Sequence, residues 1–178
     1  MKINEIITEL RQGLLRFVKQ SFPSWPDYVI TDWIYKNLKG AGGDMPDNDE
    51  AIEFITMIKQ VYGQLKWKLE QLEITLDIFD PETQQRIKQR EGGTSNPFGV
   101  PKDKERHAQQ QKMLQQQGIS KEPIIVAKTP QGYELIEGWH RTTQYLKAYP
   151  EGYIGPAWVG VGPIKHDPES WKMLKRPG

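Results

Sequence analysis

The sequence predicts an α+β protein, with a helical N-terminal region over residues 1–91 followed by a small mixed α/β domain over residues 94–178. Three features lead there. Apolar residues recur at spacings of three and four through the first half, as the buried stripe of a helix requires. Short apolar runs separated by turn residues follow in the second half. Between the two lies Gly92-Gly93-Thr94-Ser95, a composition break suited to a boundary.

Ile3, Ile6, Ile7, Leu10, Leu14, Phe17 and Val18 place a helix over 3–20, and Pro23 and Pro26 around Trp25 end it in a stiff corner. Ser24 or Asp27 is positioned to cap a second helix over 26–38, with Val29, Ile30, Trp33, Ile34 and Leu38 inward. Trp25, Tyr28, Trp33 and Tyr35 fit a helical core or partner surface better than a base-stacking platform. Asp44, Asp47 and Asp49 stand in a glycine-rich loop without the glycine and terminal glutamate of a calcium loop. From Asn48 or Asp49 the spacing predicts one long helix to about Phe79, through Ile52, Ile55, Tyr62, Leu65, Leu69, Leu72 and Leu76. Trp67 and Ile74 fall off that stripe. A short polar helix follows Asp80-Pro81-Glu82 to about Arg90.

Beyond the boundary, a glutamine-rich helix is expected over 103–117. Ile124-Ile125-Val126, a Pro130-Gln131-Gly132 turn, then Tyr133, Leu135 and Ile136 read as a hairpin. The period then changes: Trp139, Thr142, Thr143 and Leu146 recur as on a helix. Ala157–Val161 gives a further strand, and the basic tail from Lys165, with His166 and Trp171, is expected to be docked, phosphate-contacting or disordered.

The candidate site is the corner Glu137-Gly138-Trp139-His140-Arg141. A glycine where a strand hands over to a helix permits a sharp turn or close approach of a ligand. Amide hydrogens at the helix start, with His140, Arg141, Thr142 and Thr143 beside them, make a phosphate cradle. The plainer alternative has Gly138 as a turn only, Trp139 in the core, and His140 and Arg141 solvated.

A hairpin feeding a helix through this corner resembles the nucleotide-binding core of the ParB/sulfiredoxin-like superfamily. ParB proteins carry Gly-Glu-Arg-Arg here, sulfiredoxins Gly-Cys-His-Arg, and free serine kinases Asp-Gly-His-His-Arg. The order Asn96-Pro97, helix, Gly118-Ile119 and Pro123-Ile124-Ile125-Val126 is also similar to ParB-like domains, with Phe98 in place of the family's arginine. The resemblance spans about residues 94–163. It implies a ParB/sulfiredoxin-like domain binding a nucleoside triphosphate, ATP or CTP. Gly138, Arg141, Thr142, Thr143 and Asn96 would serve as phosphate or nucleotide ligands and His140 as a donor to a phosphoryl oxygen. Glu137, where the serine kinases have an aspartate, would bind Mg²⁺ or act as base.

Two functions are compatible with this. One is a nucleotide-dependent kinase or hydrolase centred on Glu137, His140 and Arg141. The other is a non-catalytic module binding nucleotide or DNA, with the helical N-terminal region docking a protein partner. The absence of cysteine excludes sulfiredoxin thiol chemistry, disulfides and cysteine metal sites. No helix-turn-helix is expected after the core, which weighs against ParB-type partitioning. Net charge is +1, split as −3 over residues 1–91 and +4 over 92–178, so no global field marks a nucleic-acid binder. No apolar run approaches a membrane span and no leader is read at the N-terminus, so the expectation is a cytoplasmic protein without membrane contact.

Overall fold

The computed structural model describes residues 3–38, 48–91 and 103–165. They fall into two compact units: one holds the chain up to Leu65 together with the segment from Pro163, and the other spans Lys66–Gly162.

The first unit is helical: α1 (Ile3–Ser21), α2 (Asp27–Val29), a π-helical turn Ile30–Tyr35, α3 (Lys36–Leu38) and α4 (Asn48–Tyr62). Pro26, not Ser24 or Asp27, occupies the cap position before α2, and no side chain caps it. Asp27 pairs instead with Lys19 at 3.2 Å. The wider π turn carries Ile30, Trp33 and Ile34 inward. Phe22 stacks on Trp25 (4.3 Å between centroids), Trp25 stacks on Trp33 (5.7 Å), and Trp33 meets Tyr62 edge-on (5.2 Å). These buried rings are occupied with one another, so the aromatic cluster is core and not a stacking platform.

The predicted long helix to Phe79 is a misreading. Helix α4 ends at Tyr62, and after a tight turn Lys66–Ile74 forms strand β1. Leu65, Leu69, Leu72 and Leu76 do stand at helical spacing, but the pairing decides otherwise. All nine residues of β1 align antiparallel with β4 (Tyr153–Val161), from Lys66 opposite Val161 to Ile74 opposite Tyr153. Helix propensities of Lys, Leu, Glu and Gln differ from those of strand formers by only about 1 kcal/mol or less per residue, and such a long-range ladder overrides them.

The sheet runs β1-β4-β2-β3, with β2 at Ile124–Thr129 and β3 at Gly132–Glu137. The predicted hairpin is β2–β3, antiparallel, while β2 and β4 are parallel. Helix α7 (Trp139–Ala148) makes the crossover that a parallel pair requires. Helices α5 (Pro81–Glu91) and α6 (Asp103–Gln117) pack against α7. One core joins them to the sheet: Ile74, Phe79, Ile87, Leu114, Ile124, Val126, Leu135, Tyr145, Leu146, Tyr153, Ala157 and Val159. Thus β1 and α5, expected in the helical region, belong with the sheet. The expected boundary at Gly92–Ser95 lies outside the described residues, as do the Asp44 and Asp47 loop positions and the tail beyond Lys165.

The edge formed by β3 is closed by the chain entering α5. Phe79 bridges to Tyr133, the Asp80 amide donates to the Tyr133 carbonyl at 2.9 Å, and the Leu135 amide donates to Thr83 Oγ1 at 3.3 Å. Gly132 permits this approach. A Cβ there would stand 2.8 Å from the Ile78 carbonyl oxygen, and its φ of 128° disfavours other residues. Asp80 then caps α5 by accepting from the Thr83 amide at 2.7 Å.

Tyr153 lies in this core beneath Tyr145, rings edge-on at 5.1 Å. Burial pushes its phenol up to about 12; the Thr142 hydroxyl beside it lowers it, Tyr145 raises it, and Arg141 lowers it. The folded protein therefore holds the neutral phenol, a contribution fully present below the ordinary tyrosine value near 10 and lost as pH rises through about 12. Between those values the native protein should lose roughly 2–3 kcal/mol of stability that Tyr153→Phe does not lose. Chemical unfolding of both proteins across alkaline pH checks this, and parallel loss in the two would refute it.

Candidate anion site at the start of the crossover helix

The strand-to-helix corner forms where the sequence places it. Strand β3 ends at Glu137, Gly138 adopts φ 99° and ψ 19°, and α7 begins at Trp139. The left-handed conformation favours glycine, and a Cβ at Gly138 would lie 2.7 Å from Ile124 Cγ2. Thr142 is the first helix residue whose amide reaches back, to the Gly138 carbonyl at 2.9 Å. The amides of Trp139, His140 and Arg141 precede it and have no acceptor within the helix. With the macrodipole behind them, they favour an anion. Residues 137–141 are half-buried, so this first turn is neither sealed nor fully solvated.

The expected side-chain ligands do not all gather there. Thr142 and Thr143 are completely buried, pointing their hydroxyls into the protein. The Arg141 side chain, 14% exposed, turns back toward the approach to β2. Its Nη1 donates to the Glu122 carbonyl at 2.9 Å and to the Glu122 carboxylate at 3.1 Å, and its Nη2 donates to the Pro123 carbonyl at 3.1 Å. That is a clamp between α7 and the entry to β2, with its donors directed at the protein. Glu137 and His140 remain at the corner, each already interacting with neighbouring groups. Asn96 lies outside the described residues.

Two residues that the sequence did not single out stand beside the corner. Arg86 and Arg90, one turn apart on α5, place their guanidinium carbons 5.6 Å and 5.4 Å from the centre of the Trp139 ring. Trp139 is held in turn by donation from its indole nitrogen to the Ile136 carbonyl at 3.2 Å. It is therefore part core and part platform, packed against the main cluster while receiving two cations on its π system. Arg86 also pairs with Glu82 at 3.3 Å. Only the spacing of four between Arg86 and Arg90 signalled in the sequence that both share a helix face.

Among the described residues no group of three or more His, Asp or Glu is placed to hold a metal ion. A Mg²⁺ held by Glu137 would need phosphate oxygens and water for its remaining ligands, as that ion commonly does. Among the described residues no helix is long and apolar enough to cross a membrane. The chain matches no family model, no curated protein and no solved structure.

Arg141→Ala should destabilise the protein by about 1.5–3 kcal/mol without any ligand, since it leaves two carbonyls without their charged donor. Arg141→Lys should recover only part, because an ammonium cannot reproduce the planar fork. Gly138→Ala should cost about 1–3 kcal/mol through its backbone conformation and the Ile124 contact. Urea unfolding of the three variants measures each, and wild-type stability for Arg141→Ala would show that the clamp contributes nothing.

Proposed function

We propose that the chain is a nucleotide-binding protein of the ParB/sulfiredoxin-like class, and that the Gly138 corner receives the phosphates of ATP or CTP. The observation that carries this reading is the first turn of α7, uncapped by any side chain at Gly138, opening beside the Arg86 and Arg90 guanidiniums. Backbone amides and a helix dipole supply directional donors, and the two cations supply long-range attraction. Arg141 acts as a positioning residue by holding the corner against β2, in place of the direct phosphate contact expected from the sequence. Mg²⁺, where it accompanies the nucleotide, would neutralise phosphate charge with Glu137 as its protein ligand.

Binding without turnover is the form of this function that the side chains favour. With Thr142 and Thr143 buried and Arg141 committed to Glu122 and Pro123, the chemistry of a kinase or hydrolase would fall to Glu137 and His140. The module reading leaves room for DNA or a protein as the partner that nucleotide binding controls.

A thermal-shift titration with ATP and CTP, with and without Mg²⁺, tests the proposal. A ligand that binds only the native state at about 100 times its Kd adds about 2.7 kcal/mol, enough to raise the melting point by several degrees. Arg86→Gln should weaken triphosphate binding several-fold. Melting points unmoved by every nucleotide would discard the reading. Steady phosphate release that Glu137→Ala abolishes would move the protein from module to enzyme.

A further inference from the structure

The two edges of the sheet are treated differently. The β3 edge is closed by Phe79, Asp80 and Thr83, whereas among the described residues no strand lies on the outer side of β1. That strand is nine residues long, contains no proline, and keeps its register with β4 without a bulge. Long, unbulged edges are templates for another strand. Its side chains are also unusually exposed for a sheet: Leu69 is 50% exposed and the Lys68 side chain 79%. On the same face as Leu69, Ile154 of the neighbouring strand is 70% exposed.

We infer that β1 pairs antiparallel with β1 of a second copy of this chain, about a two-fold axis at Leu69, to make one continuous eight-stranded sheet. The charge order selects the partner. Lys66 and Lys68 occupy the first half of the strand and Glu70 and Glu73 the second. Antiparallel pairing of two identical strands sets opposite halves together, while parallel pairing would set like charges together.

The pleat narrows the register further. Opposed residues must point to the same face, so the axis must pass through a residue and not between two. An axis at Lys68 opposes two lysines and one at Glu70 opposes two glutamates, both unfavourable. At Leu69 the pairs are Leu69 with Leu69, Lys68 with Glu70 twice, Trp67 with Gln71 twice, and Lys66 with Leu72 twice. The central pair is apolar, and the two pairs flanking it are of opposite charge. Within one chain Lys68 already lies 3.4 Å from Glu70, so the two side chains share the face on which the second copy would meet them.

The full chain should sediment as a species of twice 20.6 kDa at high micromolar concentration and dissociate on dilution. Lys68→Glu turns two attractive pairs into repulsive ones and should raise the dimer dissociation constant by about tenfold. Adding Glu70→Lys to it should restore the wild-type value.

A second test uses the absence of cysteine in the sequence. Under mild oxidation Leu69→Cys should cross-link quickly, because directly opposed Cα atoms about 4.5–5.5 Å apart fall within disulfide reach. Glu73→Cys, whose two copies would lie more than about 20 Å apart along the strands, should not. The inference is overturned by any of three results. These are a monomer at all concentrations, a dimer indifferent to Lys68→Glu, and Leu69→Cys cross-linking no faster than Glu73→Cys.

Discussion

Strands β2 and β4 run side by side in the same direction, and that parallel pairing governs the sheet-bearing unit. Two parallel neighbours cannot be joined by a tight turn, so the chain must leave β2, return along β3 and cross through α7 before entering β4. The middle of helix α7, Thr142, Thr143, Gln144, Tyr145 and Leu146, is therefore buried on all sides, between the sheet and helices α5 and α6. The Gly138 corner is the consequence: the chain has one residue in which to change from extended to helical geometry above Ile124, and only glycine fits there.

The same constraint commits some of the corner's polar groups to building the fold. Arg141 sits one turn into α7, where its side chain reaches the Glu122 and Pro123 carbonyls ahead of β2. A guanidinium can satisfy several carbonyl acceptors in one plane, which suits it to closing a strand entry onto a helix. The amides of the first turn precede the first backbone bond of the helix, which runs from Thr142 to the Gly138 carbonyl. Their neighbours on α5, Arg86 and Arg90, are drawn to the face of Trp139, so the positive charge around the corner comes from an element distant in sequence.

Charge and aromatic rings serve different ends in the two units. In the helical unit, Phe22, Trp25, Trp33 and Tyr62 form a chain of ring contacts within a core that also buries Val18, Ile30, Ile34, Ile58 and Val61. In the sheet unit, the tyrosines do similar work under α7, where Tyr145 also accepts from the Ser120 amide at 2.9 Å. Trp139 differs from all of these. It packs against the core while its ring also meets the Arg86 and Arg90 guanidiniums.

Local chemistry by itself determined most of the helices, the β2–β3 hairpin and the Gly138 corner. Each rests on contacts within a few residues: an apolar period, a Pro-Gln-Gly turn, a glycine between a strand and a helix. Tertiary structure alone decided β1, because Lys68, Leu69, Glu70, Gln71 and Leu72 suit a helix until β4, about 85–90 residues away, offers its backbone. It decided likewise that Arg141 and the two threonines serve the fold while Arg86 and Arg90 approach the corner. A side chain's direction depends on which elements pack together, and no short stretch of sequence contains that information.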